Sequence, residues 1–370
     1  MDVRYEHDER IVMTLDAGGT NFVFSAVQGN RLIVEPVRYP SNGSNLQQSL
    51  QTLRDGFTRI LNRLPSAPVA VSIAFPGPAD YENGVIGDLV NLPGYRGGVA
   101  VGPMLEDYFK LPVFINNDGD LFAYGEAIAG FLPEVNLWLQ EAGNPKHYEN
   151  LLGVTLGTGF GAGIVRRGEL FLGDNSAGAE IWTFPNKFHP DMSAEETVSI
   201  RGVVKLYLER CRIPPGSAVS PRDIFAIACG DLPGDQEAAL EAYRLFGQAL
   251  GYALALASSL IDGLVVIGGG ISGAASFFLP AAVAEMNGSL RLADGSQVRR
   301  TESVVFNLED EKQREAFLAD TGIEVLIPGT KRTCRYNPHK RVGVGLTRLG
   351  TERAIFVGAY AFALHELDGR

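Results

Sequence analysis

Cysteine is scarce in this chain. There are three in 370 residues, Cys211, Cys229 and Cys334, and none form a C-x-x-C pair. That excludes a disulfide framework and a cysteine-based zinc site, and it fits reduced thiols in a cytoplasmic protein. Positive charge is also short: 32 Lys and Arg stand against 43 Asp and Glu, for a net charge of -11. A basic nucleic-acid-binding face is therefore not expected. A phosphorylated ligand stays open, because backbone N–H groups and a bound cation hold phosphate without a basic surface. Long apolar runs are missing too. The greasiest stretch, 246–267, is broken by Gln248, Gly251, two serines and Asp262, and predicts a buried helix leading into a buried strand, not a membrane span. The N-terminal MDVRYEHDER carries both signs of charge and no apolar core, so no signal peptide is expected. The five histidines are scattered singly, which argues for ordinary satisfied or exposed rings.

What is present is a 45% hydrophobic chain long enough for two domains, each with its own core. Residues 11–16, 22–27 and 32–37 are short apolar runs separated by a glycine-rich turn and by Gly29-Asn30. They predict an antiparallel meander. Ser44 is the expected N-cap of a helix whose apolar face is Leu46, Leu50, Leu53, Phe57, Ile60, Leu61 and Leu64. Strands are expected at 69–75 and 112–116, with a helix at 101–110. The pattern restarts at 151: LLGVTLGTGFGAGIVRRGEL corresponds feature by feature to LDAGGTNFVFSAVQGNRL. This is a repeat of architecture, not of sequence. It predicts an α/β fold in two halves, each a mixed βββαβαβα unit, with a nucleotide site between them. Helices are expected after 195 and 235, a strand at 264–267, and a last helix from about Glu352 that packs on the first half. The resulting division is a small N-terminal domain at 1–118 plus 352–370, and a larger one at 119–351. Within the latter, 286–340 is polar, charged and without a nameable motif, and is expected to be an insertion.

Five motifs carry candidate chemistry. In DAGGTN, the adjacent Gly18 and Gly19 let several N–H groups point at one anion, Thr20 and Asn21 add side-chain donors, and Asp16 ends a buried strand where it could hold magnesium through water. An ordinary hairpin turn needs the same glycines. In GTGFGAG, Gly157, Thr158 and Gly159 form a second such turn; with no Lys-Ser/Thr and no following helix, it is not a Walker A loop. Two matched turns suggest a grip on different phosphates of one nucleotide, so a valine at 159 is expected to obstruct phosphate. In IGGGISG, Gly268, Gly269 and Gly270 follow a strand and precede a helix, a place for an adenosine or merely for close helix–strand packing. In FINNDGDLFAYGE, Asn117 and Asp118 stand between a buried strand and a helix. Asp118 either accepts a proton from a substrate hydroxyl during phosphoryl transfer or only caps the helix; the capping box is incomplete, since Leu121 and Ala123 follow at the decisive spacing. In GDNSAGAEIW, Glu180 follows small residues and offers two acceptor oxygens to neighbouring sugar hydroxyls, although an exposed Glu is equally ordinary.

Together and in this order, the motifs resemble the ROK family of bacterial sugar kinases and sugar-responsive repressors, over nearly the whole chain. DAGGTN and LGTGFGAGIV resemble its two phosphate motifs, VVIGGG its adenosine motif, SIAFPGPAD with GDLVNLPGY its sugar-side segment, and NND at 116–118 its catalytic Asn-Asp pair. The resemblance implies a two-domain actin/hexokinase-like (ribonuclease H-like) fold and an ATP-dependent kinase that phosphorylates a hexose at its 6-hydroxyl. It implies Asp118 as general base and Asn91, Asn117 and Glu180 as sugar ligands. SAEETVSIRG resembles a segment with a further sugar-binding Glu, for which Glu195 has better spacing to Ser199 than Glu196. Glucose is the first candidate, with N-acetylhexosamine or fructose as alternatives. The implied cofactors are ATP and Mg2+, and the expected assembly is a homodimer with neither nucleic acid nor membrane as partner.

Three departures qualify the resemblance. The family's Glu-Ile-Gly-His reads Glu180-Ile181-Trp182-Thr183 here, and no Cys cluster follows, so structural zinc is not expected; His189 is out of register. Gly119 and Asp120 stand where Ala and Asn are usual. The 286–340 segment has no recognised counterpart. A repressor would carry an N-terminal helix-turn-helix, yet only about ten residues precede the first strand. A non-catalytic sugar- or nucleotide-binding protein is disfavoured by Asp118 standing beside intact phosphate turns.

Overall fold

The structure, a computed structural model, describes residues 4–89, 92–214 and 216–369. The chain folds into two compact units. One comprises Met1–Pro133, Ala162–Ala179 and Thr347–Arg370; the other comprises Glu134–Gly161 and Glu180–Leu346.

In the first unit, β1 (Val12–Ala17), β2 (Asn21–Gln28) and β3 (Arg31–Pro40) form the expected meander. Gly29 and Asn30 both have positive φ, 56° and 59°. Such a pair matches the twist of the flanking strands in a two-residue hairpin. Helix α1 (Leu46–Leu61) buries Leu53, Phe57 and Ile60. Its cap is Asn45, not Ser44: the Asn45 side chain accepts the Gln48 N–H at 3.1 Å. A cap oxygen must reach the second or third helical N–H, and the helix starts at Leu46, one position later than a Ser44 cap allows. Next come β4 (Ala70–Ala74) and a small ribbon of β5 (Ala79–Asp80), β6 (Val85–Ile86) and β7 (Val99–Ala100). Helix α2 (Val101–Phe109), β8 (Val113–Asn116) and α3 (Asp118–Ala129) follow. The sheet order is β3-β2-β1-β4-β8, with β1, β4 and β8 mutually parallel. The C-terminal ends of those three strands therefore share one edge, where open α/β sheets bind ligands. Leu15, Phe22, Phe24, Phe57, Ile73 and Phe75 fill the core beneath it.

Glu126, fully buried in α3, accepts the backbone N–H groups of Phe131 (2.7 Å), Arg348 (3.2 Å) and Leu349 (3.1 Å), and the Thr347 hydroxyl. A buried carboxylate is tolerated when its lone pairs are filled this way. It ties α3 to the segment entering the last helix, α10 (Thr351–Asp368), which packs on α3 and β1 as expected. The division expected after Asp118 falls in the first turn of α3, and the whole of α3 belongs to the first unit.

After α3 come α4 (Phe131–Glu141), β9 (Leu151–Leu156), β10 (Phe160–Arg166) and β11 (Glu169–Leu170). Residues 162–179, with most of β10 and all of β11, count with the first unit; from Glu180 the second unit runs through α5 (Ile200–Cys211), α6 (Pro221–Cys229), α7 (Gln236–Ile261), β12 (Leu264–Gly268) and α8 (Ala275–Met286). Among the described residues α7 is the one helix long and apolar enough to cross a membrane by length and composition. Its alanines and leucines are largely buried in protein, against α5 and α8. The 286–340 stretch holds β13 (Ser289–Arg291), β14 (Gln297–Arg299), β15 (Val304–Asn307), α9 (Glu311–Leu318), β16 (Ile323–Leu326) and β17 (Thr333–Tyr336). The pairs β13–β14 and β16–β17 are exposed hairpins. Strand β15 is different, because it pairs in parallel with β18 (Arg341–Leu346) and belongs to the central sheet. Four residues inside polar sequence are too few to show a period, so pattern does not reveal this strand. The run β9-β12-β18-β15 is parallel throughout.

Candidate active site

In the first unit the site is built from strand ends. Asp16 is the last residue but one of β1, and Asp118 follows β8 by two residues. With β4 between them, two strand spacings separate the two positions, about 10 Å along the sheet edge. Beyond Asp16 the chain turns tightly: Gly18 N–H donates to Asn21 O at 2.9 Å, and Ser41 braces the turn, its N–H on Thr20 O (2.9 Å) and its hydroxyl on Gly19 O (2.7 Å). Thr20 is exposed. These bonds occupy the carbonyls of the turn and hold its shape, in keeping with a preorganised anion cradle.

At the end of β8, Asn117 is the cap of α3. Its side chain accepts Gly119 N–H at 2.8 Å and donates to the Tyr81 hydroxyl at 3.2 Å, which in turn donates to Phe75 O at 3.0 Å. Asp118 is the first helical residue, so the capping alternative raised for it belongs to Asn117. Both carboxylates of this edge are half-buried and both are perturbed. Burial pushes Asp16 up to about 7, with the negative charges of Asp118 and Glu352 adding to it and Arg38 opposing. Burial likewise raises Asp118, against the Gly119 N–H bond that favours its charged form. Carboxylates perturbed in this way cluster at functional sites. Gly119 and Gly163 explain one departure from the family pattern. A Cβ on Gly119 would lie 2.8 Å from Ala162 O, and one on Gly163 would lie 2.6 Å from the Asp120 Cα. The start of α3 thus rests on β10 with no room for the usual alanine.

In the second unit, Gly157–Gly159 follows β9 and Gly269-Gly270 follows β12. These strands are neighbours in parallel register, with Gly268 opposite Thr155. The two glycine turns therefore sit one strand spacing apart, about 5 Å, on one edge. Their glycines serve different ends. Gly269 has φ 89°, and a Cβ there would meet Leu156 O at 2.3 Å, so close packing on β9 accounts for it. Gly157 and Gly270 have no atom within 4 Å of such a Cβ. Gly159 lies against Glu195, whose Oε2 would be 2.8 Å from a Cβ.

Glu195 sits in a short helical turn, Ala194–Glu196. Its Oε2 accepts the Phe160 N–H at 3.0 Å, and its Oε1 accepts Arg201 Nη2 at 2.8 Å. Glu180 is exposed and takes the indole N–H of Trp182 on Oε2, while the Thr183 hydroxyl donates to its carbonyl at 2.7 Å. Hydrogen bonds clamp together the segments carrying the two glutamates. Ala194 N–H donates to Phe184 O at 2.7 Å, and Asn186, only 1% exposed, donates to Ser193 O (3.2 Å) and the Thr197 hydroxyl (2.8 Å). Asn186 Oδ1 accepts the N–H groups of Phe188 (3.0 Å) and His189 (3.3 Å). Among the described residues, no three His, Cys, Asp or Glu side chains gather to hold a metal ion. Asn91 lies outside the described residues. Sequence reasoning missed Asn186, Arg201 and the Asn117 cap, none of which has a spacing signal. Glu126 had one: a single charge inside the apolar run LFAYGEAIAGFL.

The chain matches the ROK family over residues 12–303. It belongs to the ROK family. It is similar to the glucokinase of Halalkalibacterium halodurans, 26% identical over 316 residues, covering 79% of this chain and 90% of that one. The crystal structure of a glucokinase from Parabacteroides distasonis superposes with a TM-score of 0.87 at 53% identity, over 98% of this chain and 99% of that one. The N-acetyl-D-glucosamine kinase of Vibrio atlanticus is 30% identical over 166 residues, 45% of this chain and half of that one. The fold is the expected actin/hexokinase-like one, and the activity class that these ROK relatives support is a sugar-kinase phosphotransferase.

Proposed function

We propose that this ROK protein is an ATP-dependent hexokinase that phosphorylates glucose at its 6-hydroxyl, with Asp118 as general base. The observation that carries the reading is Asp118 itself. It is a carboxylate with a raised pKa, relieved of capping by Asn117, at the strand edge that also presents Asp16 and the first glycine turn. A raised pKa makes it a stronger proton acceptor than an ordinary carboxylate once ionised. In the reaction the sugar O6 attacks the γ-phosphorus, the bond to the β–γ bridging oxygen breaks, ADP leaves, and the O6 proton passes to Asp118. Most of the barrier reduction comes from positioning and electrostatics. The three glycine turns suit phosphates and adenosine held mainly by backbone, and Glu180, Glu195, Asn91 and Asn117 are the proposed sugar ligands.

Asp16 fits a divalent cation carried by the nucleotide. Its charged form is penalised by burial and by Asp118 and Glu352, a penalty that a cation relieves. Bound there, the ion would neutralise phosphate charge.

N-acetylhexosamine is the second reading, supported by the partial match to N-acetyl-D-glucosamine kinases. A coupled ADP-release assay with ATP and a panel of hexoses decides between them. Glucose should give the highest kcat/KM, and no turnover with any hexose would overturn the reading.

A further inference from the structure

The Gly157–Gly159 turn has an acidic neighbour. The Glu195 carboxylate accepts the Phe160 N–H directly after the turn, at 3.0 Å, and its Oε2 is the atom nearest a Cβ on Gly159. Glu196 adds a second carboxylate one residue on. A phosphate approaching this turn would meet the Glu195 charge, with that of Glu196 close behind it on the same arginine, a repulsion that calls for compensation. One cation answers both. Arg201 Nη2 donates to Glu195 Oε1 and Glu196 Oε1, each at 2.8 Å, and both partners hold the guanidinium firmly protonated. Arg201 is the second residue of α5, whose first N–H, from Ile200, donates to Gly157 O at 2.9 Å. The arginine is thus fixed to the turn through the backbone on one side and through Glu195 on the other. A guanidinium has five N–H donors. Only Nη2 makes hydrogen bonds to the described residues, and the side chain is 49% exposed.

The geometry points to Arg201 as the side-chain cation of the second phosphate turn. It cancels the Glu195 charge beside the turn and offers its remaining N–H donors to a nucleotide phosphate. The inference rests on the reading of Gly157–Gly159 as a phosphate turn. It adds a charged side chain to a site otherwise made of backbone. Arg201 itself is exposed in both ion pairs, and pairs open to solvent contribute little to folding, so the melting temperature serves as the control for its removal.

The test is calorimetric titration of the whole protein with Mg-AMP-PNP and, separately, with glucose, at about 20 and 300 mM salt. Arg201→Ala should weaken nucleotide binding by roughly fivefold or more at low salt, from the loss of one nearby charge. The deficit should shrink at high salt, as screening predicts. Arg201→Lys keeps the charge and should recover most of the affinity, and adding Glu196→Gln to Arg201→Ala should recover part of it. The melting temperature should stay close to that of the parent. If nucleotide affinity is unchanged in Arg201→Ala while glucose binding falls, Arg201 serves only to hold Glu195, and the inference is overturned. If the parent protein itself binds no Mg-AMP-PNP, the phosphate-turn reading fails and takes this one with it.

Discussion

Replacing Asp118 with Asn separates proton transfer from helix capping. The amide is nearly isosteric with the carboxylate but accepts no proton at neutral pH. Loss of a positioned base typically costs about 10²–10⁴ in rate. At about 1.36 kcal/mol per tenfold, that adds roughly 3–5 kcal/mol to the barrier. The structure also fixes the stability side. Asn117, not Asp118, caps α3 through the 2.8 Å bond to Gly119 N–H. Asp118→Asn removes a charge that burial disfavours, so the variant should be at least as stable as the parent at pH 8. Asn117→Ala should instead lose about 1 kcal/mol of cap energy, a melting shift of about 2–4 °C for a unit of this size. The paired assay is coupled turnover with glucose and ATP, and thermal melting, for both variants. Parent-like turnover in Asp118→Asn would refute the general-base role. A melting loss in Asp118→Asn larger than that in Asn117→Ala would refute the assignment of the cap.

Asp16 carries a pH prediction. Its folded pKa of about 7 lies above the unfolded value near 4, so the native state binds more protons in that window. Stability therefore falls as pH rises from about 4 to 7 and stays low above it, by up to about 4 kcal/mol at 1.4 kcal/mol per pH unit. Asp16→Asn should raise the melting temperature at pH 8 without magnesium and change it little at pH 4; equal shifts at both would contradict the titration. Gly157→Val should fold normally, since nothing lies within 4 Å of its Cβ, while ATP affinity drops at least about tenfold. Gly159→Val, the more obvious choice from sequence, meets Glu195 Oε2 at 2.8 Å and so should disturb sugar binding as well; titrations with ATP and glucose separate the two variants. Asn186→Ala leaves the N–H groups of Phe188 and His189 without their acceptor, and should cost about 2 kcal/mol and raise the sugar KM more than it lowers kcat. An unchanged KM would detach the 184–194 loop from the sugar ligands.

Local pattern alone determined the meanders, the glycine turns, the amphipathic α1 and the α7-to-β12 passage. Each of these is written in a few neighbouring residues: an alternation, a helical period, or a glycine pair where φ must be positive. The candidate Asn-Asp pair was legible for the same reason, since it sits at a strand-to-helix junction. What tertiary structure decided depends on partners far apart in the chain. Asp16 and Asp118 become one edge only because β1, β4 and β8 run parallel in that order. Asp118 is freed from capping only by the exact start of α3, a shift of one residue that periodicity does not resolve. Glu195 reaches Phe160 across 35 residues. Asn186 closes a loop where the family pattern would put zinc, and β15 joins the sheet from inside polar sequence. These pairings rest on strand register and on the reach of single side chains, which composition and spacing do not encode.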